Sequence, residues 1–327
     1  YVTLFLLLLG LLFIAVATDV GWMAYVRTQG QAATDAAALR AAAAIVNYNS
    51  TGSTTQVYNM AAGLNSNNTV MNQAAGVVGA DIEFCTGDPN GVPTCSPGTF
   101  PIPARGVRVT RTYSTPLFFS QLLNGGSNAN ITVSSTAWLG GPGGLRPELP
   151  VALCKDEIQF NPDTLTCVPS LPAEFSPNNK DNAGWWNKAD SGQPSASECK
   201  NMVKDPETIP YLNINDIIDL NNGEVTSCHK EIEDKFKNCT AASCSGAEGQ
   251  AKKDFCTVIL PIVDCQNSIN TNEPVLGFAA MCITKVKSTP ASQAVIEGTL
   301  NCNVQAQGAI GAGPQFGIYA DRPVLVK

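Results

Sequence analysis

Apolar positions run unbroken from the start of the chain: YVTLFLLLLGLLFIAVAT, residues 1–18, carries no charged side chain. A helix over these eighteen residues spans about 27 Å at a rise of about 1.5 Å per residue, close to the thickness of a bilayer core. Past Asp19 the segment DVGWMAYVRTQGQAATDAAALRAAAAIV has no proline and is dense in alanine, the best helix former. One continuous helix is therefore predicted from residue 1 to about residue 45. Its first part is apolar on all sides. Its second part is amphipathic, with Arg27, Asp35 and Arg40 available for a wet face. Asp19 and Arg27 are expected to mark the exit from the membrane; an ion pair with a neighbouring subunit is the competing reading. Gly10, Gly21 and Gly30 either permit close helix packing or are tolerated breaks.

After the helix the pattern changes twice. Between Asn47 and Val78, apolar residues at Val57, Met60, Ala61 and Leu64, then at Val70, Met71, Ala74 and Val77, suggest two short helices. From Asp81 the runs are strand-like: DIEF, GVRVTRTY with Val107 and Val109 alternating against Arg108 and Arg111, and ITVSSTAWL after Asn130. Residues 47–139 thus read as a small α+β domain. Cys85 and Cys95 flank the loop TGDPNGVPT, and their pairing as a hairpin staple is expected. The stretch GGPGGLRPELP, residues 140–150, reads as a Gly/Pro linker, leaving residues 151–327 as a β-rich second domain.

Composition sharpens this outline. Of twelve cysteines, ten fall between Cys154 and Cys302, a density that points to disulfides in an oxidising compartment. Local order favours Cys154 with Cys167 and Cys282 with Cys302; the other six stay unassigned. A metal reading fails on spacing, because no C-x-x-C occurs and His229 is the only histidine. The fold class expected is α+β: a long N-terminal apolar helix, a small α+β domain, and a disulfide-rich β domain. The net charge of −7 and the lack of a Lys/Arg stripe argue against nucleic acid as a partner.

Catalytic chemistry is not encoded in recognisable form. Triads would all depend on His229, which lies in a charged KEIEDKFK-type segment and reads as solvated surface. No phosphate-binding glycine loop is present, and no cofactor is implied. Asp216, Asp219 and Glu224 lack the spacing of a calcium loop, and the NNG at Asn221–Gly223 reads as a turn. Asn49, Asn67, Asn130 and Asn238 head N-x-[ST] sequons. The pair Trp185 and Trp186 reads first as a cap on the second core or an interface, with sugar binding the lesser alternative.

The run from Tyr1 to Val46, with its apolar start, Asp-Val-Gly, Tyr25, Arg27, Gln31 and Ala-Ala-Thr-Asp-Ala-Ala-Ala-Leu, resembles the N-terminus of TadE/TadG-like proteins of the tight-adherence (Flp) pilus system. The resemblance implies a pilin-like topology, anchored in the inner membrane and exported. The first residue is Tyr1 rather than Met, as expected of prepilin-type processing that cuts before the apolar segment and keeps it. Phe5 stands where type IV pilins usually carry a glutamate, so assembly through that ion pair is not implied. The α+β domain also resembles the TadG-like ectodomain, in which a Val-Arg-Val strand precedes a helix matching PLFFSQLL. The second domain looks like one that recurs behind such N-termini.

Together these point to a structural filament subunit that assembles as a homo-oligomer through Tyr1, Phe5, Leu8, Leu11, Ile14, Asp19 and Arg27 of its helix. Other Tad pilus components and the inner membrane are the implied partners, and the mature product is a surface filament. A minor component that primes or caps a pilus, and an anchored adhesin, are the alternatives. No enzymatic activity is expected.

Overall fold

The structure is a computed structural model that describes residues 1–326 except 64–66, 87–93, 97–102, 120–127, 159, 162–165, 168–172, 176–182, 189–194, 222–225, 245–254, 266–271, 291–293 and 303. The chain divides into two compact units, one of Tyr1–Tyr48, Ser53–Trp138 and Leu325–Lys327, the other of Asn49–Gly52 and Leu139–Val324.

In the first unit, α1 (Val2–Ala43) is one unbroken helix of 42 residues, about 63 Å long. It is followed by α2 (Ile45–Thr51) and α3 (Thr55–Ala62). The second helix expected before Val78 is instead a hairpin of β1 (Thr69–Val70) and β2 (Gln73–Ala74). Its two turn residues, Met71 and Asn72, have φ of 55° and 62°, the handedness that matches strand twist in a two-residue loop. The four residues paired across this hairpin leave no room for a helical turn, whatever the apolar spacing suggested. Next come β3 (Ile82–Thr86), β4 (Thr94–Ser96), β5 (Gly106–Pro116) and β6 (Asn128–Trp138). They form an antiparallel sheet whose remaining edge is the C-terminal strand Val324–Val326, in the order C-terminal strand, β6, β5, β3, β4. Along β5 every second residue from Val107 to Val109 and from Tyr113 to Thr115 is buried, so one face is a core face. The segment PLFFSQLL is not helical as far as Phe119; the rest falls outside the described residues.

The second unit is built on an eight-stranded sheet. The strands described in this unit, which include several outside the large sheet, are in chain order β7 (Gly141–Pro142), β8 (Gly144–Leu145), β9 (Val151–Cys154), β10 (Phe160–Asn161), β11 (Thr166–Cys167), β12 (Ala173–Phe175) and β13 (Ala183–Lys188). They continue as β14 (Leu212–Asn213), β15 (Ile217–Asn221), β16 (Thr257–Val263), β17 (Asn272–Pro274), β18 (Gly277–Lys287), β19 (Val295–Leu300), β20 (Val304–Gly313) and β21 (Ile318–Arg322). The large sheet runs β12-β19-β18-β16-β9-β13-β15-β17 and is antiparallel except where β16 meets β9. Its two faces are both buried. Val151, Leu153, Trp185, Val258 and Leu260 pack on one side; Ala152, Cys154, Trp186, Ile259 and Phe278 pack on the other. That is why β16 is buried at every position, an apolar run with no polar alternation. Trp185 and Trp186 are each wholly buried, one per face, so neither is a surface cap or a sugar platform.

Helices α4 (Ala196–Lys204), α5 (Thr226–Phe236) and α6 (Ala241–Cys244) belong to the first of these faces. The Ser195 hydroxyl and the Glu198 carboxylate cap α4 reciprocally. Cys228, Ile232 and Phe236 sit four residues apart on α5 and face the core. His229 lies beside them, fully buried, its ring edge-on to Trp185 at 5.1 Å between centroids. The solvated-surface reading of His229 is therefore overturned: of the charges on α5, Lys230 and Asp234 are exposed, while Glu231, Glu233 and Lys235 flank the core face half-buried.

Residues 140–150 are structured, mostly buried, and part of the second unit rather than a linker. Their glycines permit close backbone approach. A Cβ on Gly141 would lie 2.0 Å from the Pro314 carbonyl oxygen, and one on Gly313 would lie 2.2 Å from that of Pro142.

Disulfides join Cys85 to Cys95, Cys154 to Cys265, Cys199 to Cys228, Cys239 to Cys256 and Cys244 to Cys282. Cys302 is also disulfide-bonded, and nothing is described of the Cys167 side chain. The two pairings expected from local order, Cys154 with Cys167 and Cys282 with Cys302, are not formed. The parallel contact of β9 with β16 sets Val263 beside Cys154, which delivers Cys265 from 111 residues away. Helix α6 packs against β18 and delivers Cys244 to Cys282.

Candidate assembly helix and its mooring

Helix α1 has two halves with different environments. From Tyr1 to Thr18 nearly every described side chain is exposed: Phe5 by 64%, Leu11 by 55%, Ile14 by 63%. Tyr1 is exposed as well, whereas the Leu8 side chain lies outside the described residues. The helix is long and apolar enough to cross a membrane, and only 6% of its most apolar window is buried within the fold. A row of aliphatic and aromatic side chains this extensive calls for an apolar partner.

The second half is built into the first unit's sheet. Val26, Gly30, Ala33, Thr34, Ala37, Ala38, Ala41 and Ala42 are buried, a stripe at helical spacing whose small side chains let the helix lie close to β5 and β6. Gly30 is the tightest point, since a Cβ there would come within 2.8 Å of the Tyr113 ring. Within the chain Gly10 and Gly21 have open space around them, and Gly30 is the one of the three that packs against the sheet. Burial pushes the Tyr113 phenol above its ordinary pKa, with the Arg111 guanidinium lowering it and the Asp81 carboxylate raising it.

Polar side chains key the helix to the sheet. Gln31 Nε2 donates to Asp35 Oδ1 at 2.8 Å, to the Ser134 carbonyl at 3.1 Å and to Ser135 Oγ at 2.8 Å. The Ser135 hydroxyl donates to Asp35 and also meets Thr34 Oγ1. Trp22 Nε1 donates to Thr115 Oγ1 at 2.8 Å, and Gln29 Oε1 accepts from the Met71 amide at 3.0 Å. Asp35 is therefore not a wet-face residue like Arg27 and Arg40, which are exposed. The sequence did contain a signal for this: Gln31 and Asp35, four apart, are polar side chains on one face of an otherwise alanine-rich stretch.

Asp19 was expected at a wet exit from the membrane, yet it is only 5% exposed. Its carboxylate accepts the amide of Phe118 at 2.8 Å and that of Phe119 at 3.2 Å. Two backbone donors replace water around the charge, and they tie the end of β5 to the helix. Among the described residues, no three His, Cys, Asp or Glu side chains converge as a metal site requires.

The helix is thus exposed and apolar at its N-terminal end, with the length and composition to cross a membrane, and moored on an antiparallel sheet at the other. Residues 1–44 match the family model of Flp pilus-assembly TadE/G-like proteins, so the N-terminal segment of this chain is TadE/G-like. No curated protein and no solved structure matches the chain.

Proposed function

We propose that this protein is a structural, pilin-like subunit of an extracellular bacterial filament of the Flp type, assembled by bundling of the first half of α1. The observation that carries the reading is the division of one rigid helix into an exposed apolar half and a half embedded in a folded unit. The embedded half fixes the direction of the free half, so copies of the chain present an identical apolar rod to one another. Before assembly the same rod sits in the inner membrane, as the TadE/G-like match and the membrane-length helix both support. The disulfides suit an exported, oxidising location. The role is structural rather than enzymatic.

Electron microscopy of sheared cell-surface material, with peptide mass spectrometry of the purified fibres, tests it. Fibres whose main protein is this chain support the subunit role. Recovery of the chain only in the inner-membrane fraction, with fibres made of another protein, would replace it with an anchored assembly factor.

A further inference from the structure

The segment Leu117–Phe119, at the end of β5, presents two adjacent exposed aromatic residues. Phe118 is 54% exposed and Phe119 38%. Side chains of this kind scattered singly on a surface need no explanation, but these two continue the apolar surface of α1. The carboxylate of Asp19 holds their backbone to the helix through the Phe118 and Phe119 amides. The Phe118 ring meets Trp22 edge-on at 5.9 Å, and Trp22 in turn stacks at a tilt on Tyr25 at 5.5 Å. Between helix and segment lies an apolar crevice of about 160 Å³, lined by Ala15, Val16, Val20, Met23, Leu117 and Phe119, with Asp19 at its wall.

The level of this cluster along the helix matters. Val2 to Thr18 rises about 26 Å, and the hydrocarbon core of a bilayer is about 30 Å thick, so residues 19–25 fall at headgroup depth. Trp and Tyr are the residues that favour that depth, because each has an apolar body and a polar tip. Trp22 and Tyr25 fit that description. Phe118 and Phe119 bring apolar area to the same level from a different part of the chain.

We infer that Leu117–Phe119 is a second membrane-contacting element: in the membrane-inserted state its aromatic side chains lie in the headgroup and acyl boundary beside α1, with Asp19 as the tether. The inference rests on the reading that the first half of α1 enters a bilayer before assembly. It adds that the first unit is seated on the membrane surface at two points, the helix and this segment. One helix alone leaves a domain free to tilt and swivel; a second contact beside it restricts both.

The test uses the full-length chain reconstituted in phosphatidylcholine vesicles, with Trp22→Phe as background and Phe118→Trp added. Trp138, Trp185 and Trp186 are fully buried and provide the unquenched reference. Lipids brominated high on the acyl chain should remove much of the emission of the indole added by Phe118→Trp, and lipids brominated at the chain end should remove less. The Trp22→Phe protein alone should lose little with either lipid. If the chain floats with vesicles but Phe118→Trp adds no quenchable emission, the segment is not at the interface and the inference fails by itself. If the chain does not float with vesicles, the membrane-helix reading fails and takes the inference with it.

Discussion

Two substitutions on α1 should separate its two duties. Leu11→Asp places a carboxylate in the exposed apolar half, where the native side chain is 55% exposed and touches little of the fold. At the centre of a membrane helix such a charge costs about 2.5–3.5 kcal/mol on insertion scales, a loss of about 60- to 300-fold in the insertion equilibrium. The folded units should not respond. Val26→Asp does the reverse. Val26 is fully buried in a cluster with Ala33, Tyr113 and Val133, and no cationic side chain belongs to that cluster. An uncompensated charge there costs about 3–5 kcal/mol, a large share of the roughly 5–15 kcal/mol that holds a domain together. The apolar run of residues 1–18 is untouched. Two readouts on the full-length protein check this: flotation with phosphatidylcholine vesicles, and protease resistance of peptides from the first unit. Leu11→Asp should lose flotation and keep resistance; Val26→Asp should float and be cleaved. If either variant lost both properties, the halves of the helix would not act separately and the assembly-rod argument would fail.

Gly30→Ala and Gly21→Ala gain the same helix propensity, up to about 1 kcal/mol each, but only Gly30→Ala drives a methyl group against the Tyr113 ring. Overpacking of about 1–3 kcal/mol should leave Gly30→Ala the less stable of the two in urea titrations of the full chain in detergent; equal midpoints would contradict the close approach. Peptide mapping without reductant should recover Cys154 joined to Cys265 and Cys244 joined to Cys282, and a Cys154–Cys167 peptide would refute the strand order. Removing the Cys154–Cys265 bridge with paired alanines should destabilise the second unit by about 4–5 kcal/mol, since it closes a loop of 111 residues. Glu198 is held below its ordinary pKa by the hydrogen bonds it shares with Ser195. Its contribution to the α4 cap is thus present above the usual glutamate range and lost as pH falls through the lowered folded value. Protection of the amides in the first turn of α4, taken relative to the intrinsic exchange rate at each pH, should fall on acidification, and Glu198→Gln should remove that pH dependence.

What the sequence determined by itself is what depends on near neighbours. An uncharged run followed by alanine-rich, proline-free residues has one low-energy local form, and α1 is that helix. The alternation around Val107 and Val109 similarly settles β5 as a strand with one buried face. Where the chain meets itself at long range, local pattern had no purchase. Whether Gly30 is a packing point or a tolerated break depends on Tyr113, more than eighty positions away in sequence. The carboxylate of Asp19 finds its donors at Phe118 and Phe119. Cysteine pairing follows the parallel contact of β9 with β16 rather than the order of residues, and the glycines and prolines of residues 140–150 serve close strand packing rather than freedom. His229 shares its helix with charged side chains, yet it is buried because α5 packs against the large sheet and sets its ring on Trp185. Burial and partner identity belong to the tertiary arrangement because they depend on which distant surfaces meet, and a residue's own neighbours in sequence carry no record of that.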